Sequence, residues 1–472
     1  MIGVVLAFQA AIWLALSFLF IRSRNASVFH PFAYYLTFHG IVFVIWPILQ
    51  YALGFEFVFY YMWFYPSEET MISTLMLTTL GLFGFAIFSW LTDNGVPRFD
   101  RPNPPGYTTD EWWAFIILAV LLVPLALYAI YLNTGTTAAG TPLVVMQRNI
   151  DTGIMGNTNE TGYLTSAETV LIPLSLMLIW GTRFRLWSFL PLILHFVVKL
   201  QNGWGRWAFV LPLMSLGLLF LCRRKKRWVP LSFIAAAIPV FIIFHQLGEN
   251  RTAYQSWFTG ETDAQANQTY NTKGEGRWID QFDGLDFANV DYLAYVYDVV
   301  PKESETYSYF TQYLQLFTEP IPRVLWPGKP FGSPINLVNL NDYGVFLGLT
   351  PSIIGDGWIS AGWFGVFVTL GIVGYLTKRM HSWFWSGNAS NLKILTYCIF
   401  VPLTIQWYRD GGISITKFML FTIGPIFLWR GILRVIQKRD IRRRSKGGDF
   451  VIPGPRTIPL RRQTIGQSGE RS

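Results

Sequence analysis

Charge is what this 472-residue chain has least of: 14% of its residues are Asp, Glu, Lys or Arg, while 52% are hydrophobic. A water-soluble domain carries about a quarter charged residues, so a soluble enzyme or binding module is excluded. Cysteine is nearly absent too. Cys222 abuts a basic run and Cys398 lies inside an apolar one, which leaves no disulfide framework and no cysteine zinc site. The five histidines, His30, His39, His195, His245 and His381, follow no metal-ligand spacing, and nothing in the sequence calls for a metal or any other cofactor. No fixed-period repeat and no similarity between halves is detectable, which takes away the sequence signature of an inverted-repeat transporter.

What the chain has instead is apolar runs near the ~20 residues needed to cross a hydrocarbon core. Eleven fall at 2–21, 32–53, 72–92, 112–132, 163–181, 186–202, 204–221, 229–246, 357–377, 392–408 and 413–433. They predict an all-α polytopic integral membrane protein with about eleven transmembrane helices. Eight are expected in residues 1–246 and three in 357–436. Between them, 247–356 forms one large loop domain, and 437–472 forms a basic, disordered tail. The loop is rich in tyrosine, and its stretch from Asp291 to Phe317 has enough apolar residues for amphipathic helices packed on the membrane core. A second loop, Asn133 to Gly162, rich in Gly, Thr and Asn, reads as a flap or re-entrant turn.

Lys and Arg collect in short loops that share one side under an eleven-span arrangement: Arg22 and Arg24, Arg98 and Arg101, Arg183 and Arg185, the run Arg223 to Arg227, Lys378 and Arg379, and Arg442 to Arg444. The positive-inside rule makes that side cytoplasmic, the N-terminus external and the large loop external. The basic balance, a formal charge of +9, is thereby accounted for by topology, and it does not point to a nucleic-acid partner.

Basic residues on the other side need a reason, because a guanidinium held near lipid costs a few kcal/mol without an anionic partner. Lys199, Arg206, Arg277, Arg323, Lys329 and Arg409 are among them. Arg206 lies in Gln-Asn-Gly-Trp-Gly-Arg-Trp, where glycines permit close backbone approach to a ligand; the plainer alternative is an interfacial arginine in an aromatic belt with Trp204 and Trp207. Arg409 with Asp410, before Gly411-Gly412, is either a phosphate donor or a local ion pair at a helix boundary. His195 and Lys199 share one helical face. Arg323 and Lys329 flank Leu-Trp-Pro-Gly, a stiff turn suited to a pyrophosphate clamp or to a solvated surface turn. Glu319 and Asp356 are carboxylates able to take a proton from an attacking hydroxyl, with Asp356 favoured because it stands where the loop returns to the membrane.

Three blocks resemble bacterial oligosaccharide repeat-unit polymerases, the Wzy-type family of O-antigen and enterobacterial common antigen polymerases. Ile-Pro-Arg-Val-Leu-Trp-Pro-Gly-Lys-Pro at 321–330 resembles the proline-tryptophan-proline signature of that family's large periplasmic loop. Gly355-Asp356-Gly357 with Gly362 and Gly365 resembles its Gly-Glu…Gly…Gly pattern, with Asp in place of the commoner Glu. Gly203-Trp204-Gly205-Arg206 and Tyr408-Arg409-Asp410-Gly411 resemble its Gly-x-Arg and Arg-Asp/Glu-Gly blocks. The resemblance spans about 200–435. It implies a metal-independent glycosyltransferase of GT-C-like fold in the bacterial inner membrane. This enzyme would polymerise undecaprenyl-pyrophosphate-linked oligosaccharides at the periplasmic face, with the lipid bilayer and the pathway's chain-length regulator and flippase as partners. Arg206, Arg323 and Arg409 would stabilise the leaving pyrophosphate and Asp356 would act on the acceptor hydroxyl. Lys329, Lys199, Asp410, Trp326 and Arg277 would bind pyrophosphate or glycan. An O-antigen ligase acting on lipid A core and a lipid-linked sugar flippase are the alternatives.

Overall fold

The computed structural model describes residues 1–54, 64–93, 97, 99, 104, 106–134, 146–148, 155–157, 162–201, 207–232, 287–321, 325–330, 332–344 and 350–446. Within them the chain is helical apart from one short ribbon. In order the helices are α1 (Ile2–Arg22), α2 (Pro31–Leu53), α3 (Glu68–Leu91), α4 (Thr109–Thr134), α5 (Tyr163–Gly181), α6 (Leu186–Leu200), α7 (Trp207–Arg224), α8 (Asn289–Val299), α9 (Ser352–Trp385), α10 (Asn391–Asp410), α11 (Gly412–Thr422) and α12 (Gly424–Lys446). Eight helical stretches are long and apolar enough to cross a membrane, with α11 and α12 counted as one, Gly412–Arg439. They coincide with eight of the eleven apolar runs, and the protein is membrane-embedded. Leu186–Leu200 is apolar but shorter. The run expected at 229–246 lies beyond the described residues from 233 onward.

Lipid contact separates these helices. On α1, Val4, Phe8 and Leu14 stay more than half exposed, and α4 presents Val120 and Leu121 in the same way; large apolar side chains left uncovered along a whole helix face are stable against hydrocarbon. In contrast, α10 is buried from Asn391 through Tyr408 almost without a break, packed among α2, α7, α9 and α11. Sheathed by protein on every side, it tolerates Thr396, Thr404 and Gln406, which a lipid-facing helix would exclude.

α9 begins at Ser352, earlier than the 357 expected, and it is not one straight rod. At Ala361 (φ −165°, ψ 39°) and Gly362 (φ 59°, ψ −141°) it breaks. A Cβ on Gly357 would stand 2.7 Å from the Val366 Cα, and one on Gly365 would stand 2.1 Å from the Gly357 carbonyl oxygen. In a continuous helix residues 357 and 366 would lie ~13.5 Å apart, so the first two turns fold back onto the rest. Glycine is required at both contacts. The carbonyls orphaned by the break are met from the preceding loop: Ser308 N–H donates to Ile359 O at 2.8 Å and Tyr309 N–H to Ser360 O at 3.0 Å.

The loop before α9 is ordered against the bundle. Asp291 on α8 is fully buried and accepts from Trp46 Nε1 at 3.2 Å and Gln50 Nε2 at 2.7 Å, fixing α8 to α2. Where a flap or re-entrant turn was expected near 133–162, Met146–Arg148 and Met155–Asn157 pair as an antiparallel ribbon, Met146 opposite Asn157. The final helix also differs from expectation. α12 continues to Lys446 rather than ending at 436, because its Arg, Lys and Gln residues are good helix formers; residues 447–472 lie outside the described set.

The basic loops do meet at one end of the bundle. Arg227 donates to Ser23 O at 3.0 Å, Arg223 to Arg183 O, and Lys378 to Thr92 Oγ1 at 2.9 Å. Arg98 and Arg101 lie outside the described residues.

Candidate functional site

At the end opposite the basic loops, α5, α6, α7, α10 and α11 enclose a cavity of about 510 Å³, with the helical turn Gln315–Thr318 and Glu319 at its edge. Its wall is mostly apolar surface, but charged and polar side chains reach it, among them Glu168, His195, Lys199, Glu319, Gln406 and Lys417. A cavity of this size within an apolar bundle, carrying a few convergent polar groups, has the form of a small-molecule or headgroup site.

The cations behave differently. Lys199 on α6 is buried and paired with Glu168 Oε1 on α5. His195, one turn earlier on the face expected for it, is buried, and neither ring nitrogen is hydrogen-bonded to a described residue. Lys417 on α11 forms no hydrogen bond or ion pair with any described residue; its ammonium lies 5.4 Å from the centroid of the Tyr163 ring, and Glu319 exerts an opposing charge on it. An ammonium kept in a membrane helix without a contacting carboxylate has its charge available to an anion that enters from outside. Lys417 was not among the candidates read from sequence. Its signal was legible, since it is the one charged residue in the apolar run 413–433 before Arg430. Glu168 in the run 163–181 carries the same signal.

A second cluster sits at the head of α11. Asp356, on the folded-back part of α9, accepts the Gly412 N–H at 2.8 Å. Gly411 there has φ 84°, and a Cβ on it would lie 2.3 Å from Asp356 Oδ2. The Arg-Asp-Gly-Gly sequence is therefore shaped around the carboxylate, which fills the role of a helix cap. Tyr313 lies over Gly412; burial first, and then the Asp356 charge, push its hydroxyl well above the usual phenol range, so it stays protonated. Arg409 Nε is 3.8 Å from Asp410 Oδ1. Its backbone carbonyl accepts from Thr350 Oγ1 at 2.9 Å and from Asn289 Nδ2 at 3.3 Å, tying α8, the loop and α10 into one joint. Asp410 lies one helical turn beyond Gln406, which lines the cavity.

The sequence candidates thus fall into groups. Asp356, Arg409 and Asp410 come together at the α10–α11 corner and are not part of the cavity wall, whereas Lys199 is part of it. Lys329 is buried and donates to Glu319 O at 3.0 Å and Ile321 O at 3.1 Å. Trp326 is 38% exposed in the same turn. Arg206, Arg277 and Arg323 lie outside the described residues; Arg206 directly precedes Trp207, which lines the cavity.

One group among the described residues brings enough ligand atoms together for a metal: His30, Asp93 and His381, within 4.8 Å of one another at the basic end. The hydrogen bonds around it oppose that use. Phe32 N–H donates to His30 Nδ1 at 3.1 Å and Trp385 Nε1 to His381 Nε2 at 3.0 Å. Each ring therefore carries its proton on the inner nitrogen, facing Asp93 Oδ2 at 3.4 Å from His30 and 2.6 Å from His381. Ligation would move those protons outward against N–H donors, where a ligating histidine needs an acceptor. The trio is a buried anchor between the ends of α3, α2 and α9.

Compared with known families, residues 179–386 match the model of a domain of unknown function (DUF8712). That segment includes Lys199, Glu319, Lys329 and Asp356 but not Glu168 or Lys417. No curated protein matches the chain. No solved structure matches it.

Proposed function

We propose that this protein is a membrane glycosyltransferase that polymerises undecaprenyl-pyrophosphate-linked oligosaccharides into surface polysaccharide. In this reading the fold is GT-C-like, the enzyme sits in the bacterial inner membrane with its cavity on the periplasmic side, the N-terminus is periplasmic and the C-terminus cytoplasmic. The observation that carries the reading is Lys417: a membrane-helix ammonium lining a cavity of about 510 Å³ with no carboxylate of the described residues in contact. Cleaving a glycosyl–pyrophosphate bond moves negative charge onto the leaving group, and a fixed cation in a partly dry site stabilises that state more than the ground state. Lys417 and Lys199, with Arg206, Arg323 and Arg409, would serve this role. Lys417 is five residues into α11, ~7.5 Å along its axis, a depth suited to a headgroup at the membrane boundary.

The test is a gel profile of surface polysaccharide from cells carrying Lys417→Ala. Long chains should be lost while single repeat units remain and protein levels hold, with transfer reduced ~100-fold or more in membranes. A normal ladder from that variant overturns the reading. Loss of single repeat units together with accumulation of lipid-linked chains would instead identify a ligase.

A further inference from the structure

We propose that Glu319 is the general base of this transfer and that Lys329 is the residue that positions it; this rests on the glycosyl-transfer reading above. Four carboxylates lie near the cavity, and their surroundings separate them. Asp356 caps α11 and is absent from the cavity wall. Asp410 is engaged by Arg409 and Thr350 and is also absent from it. Glu168 reaches the wall, but one oxygen is held by Lys199 and the other is sealed from solvent. Glu319 is half-buried and lines the cavity together with Lys417, on which its charge acts. Gln315, one turn earlier, donates to its Oε2 at 3.3 Å, and no described residue donates to Oε1.

The turn that follows holds this carboxylate in place. Lys329 reaches back across the proline-rich segment to the carbonyls of Glu319 and Ile321 at 3.0 and 3.1 Å. Its ammonium thereby closes the loop from 319 to 329, which carries Trp326 and Pro327 at its outer edge. These bonds give the Trp-Pro-Gly-Lys stretch a function other than a phosphate clamp: it fixes the backbone from which Glu319 projects. A base must stand within hydrogen-bond reach of the proton it takes, and a misplacement near 1 Å costs about 100-fold.

In the step itself, the acceptor sugar's hydroxyl oxygen forms a bond to the anomeric carbon of the donor. The bond from that carbon to pyrophosphate breaks, and its electron pair stays with the phosphate oxygen, near Lys417. The hydroxyl proton passes to Glu319 and then to water.

The experiment uses the full-length protein in nanodiscs, with lipid-linked oligosaccharides extracted from cells lacking this gene as substrate and undecaprenyl pyrophosphate as binding probe. Glu319→Gln should lower kcat by 100-fold or more while the affinity for undecaprenyl pyrophosphate is unchanged, and Glu319→Asp should fall between. Lys329→Ala should lower kcat with little change in KM for the donor. Wild-type kcat from Glu319→Gln, or from Glu319→Asp alone if the first variant does not accumulate, overturns the assignment and leaves the glycosyltransferase reading standing. No transfer by the wild-type protein, with intact folding, overturns that reading instead.

Discussion

Single side chains here divide by what sits next to their charge. Lys199 and Glu168 are both almost fully buried and paired with each other, so removing either takes away a buried charge partner of the other, a loss of up to about 3–5 kcal/mol. Lys199→Met and Glu168→Leu should each lower the melting temperature in detergent, and the double variant should regain most of it. Transfer activity should stay low in the double variant if Lys199 also binds the donor, and that separates packing from binding. Lys417 has no such partner among the described residues, so Lys417→Met should leave melting nearly unchanged. The sequence made Lys199 visible because it lies at the edge of a run, against the positive-inside trend. Lys417 and Glu168 were legible only as isolated charges inside the apolar runs 413–433 and 163–181, and not as outliers to the positive-inside trend of the loops. For Lys329 residue type and place were legible, but its carbonyl partners were not, since they depend on how ten residues of chain close on themselves.

Along the helices, the features that shape the site are breaks and corners. Gly362 has φ 59°, and a Cβ there would approach the Tyr307 hydroxyl to 2.9 Å; at Gly411 both the φ of 84° and the Asp356 carboxylate oppose any side chain. Gly362→Ala and Gly411→Ala should each destabilise by ~1–3 kcal/mol, with Gly411→Ala also lowering transfer. Gly217→Ala on α7 is the control: its Cβ would meet nothing within 4 Å, and alanine there should stabilise by up to about 1 kcal/mol. Thermal unfolding of the three variants side by side checks the ordering. The positions of the membrane helices were readable from apolar runs because length and hydrophobicity suffice for that. The fold-back of α9 was not, since a glycine-rich helix and a reversed one have the same composition until Gly357 meets Val366. The continuation of α12 was missed for a related reason: Arg-rich sequence was read as disorder, although arginine favours helix wherever a helix is already started.

For the molecule as a whole, the two ends of the bundle are built differently. One end is a cavity with uncommitted polar groups. The other is tied by the hydrogen bonds of Arg227 and Lys378 and by the His30–Asp93–His381 trio, whose two rings face the Asp93 carboxylate. Asp93→Asn replaces an acceptor that both imidazoles face with an amide, and should lower the melting temperature by several degrees; zinc and EDTA should leave the wild-type value unmoved. A zinc-dependent rise would reassign the trio as a metal site. The contrast suits a protein that holds one face fixed while substrates come and go at the other.

That anchor also constrains biosynthesis. Asp93 and His381 are separated by 288 residues, and at 5–20 residues per second the ribosome needs about 15–60 s to make them. Through that interval the carboxylate at the end of α3 has emerged while one of its two imidazoles has not yet been translated. The nascent protein must therefore keep this corner wet or shielded until its third-last hydrophobic segment arrives, which makes late insertion of α9 the event that seals the basic side.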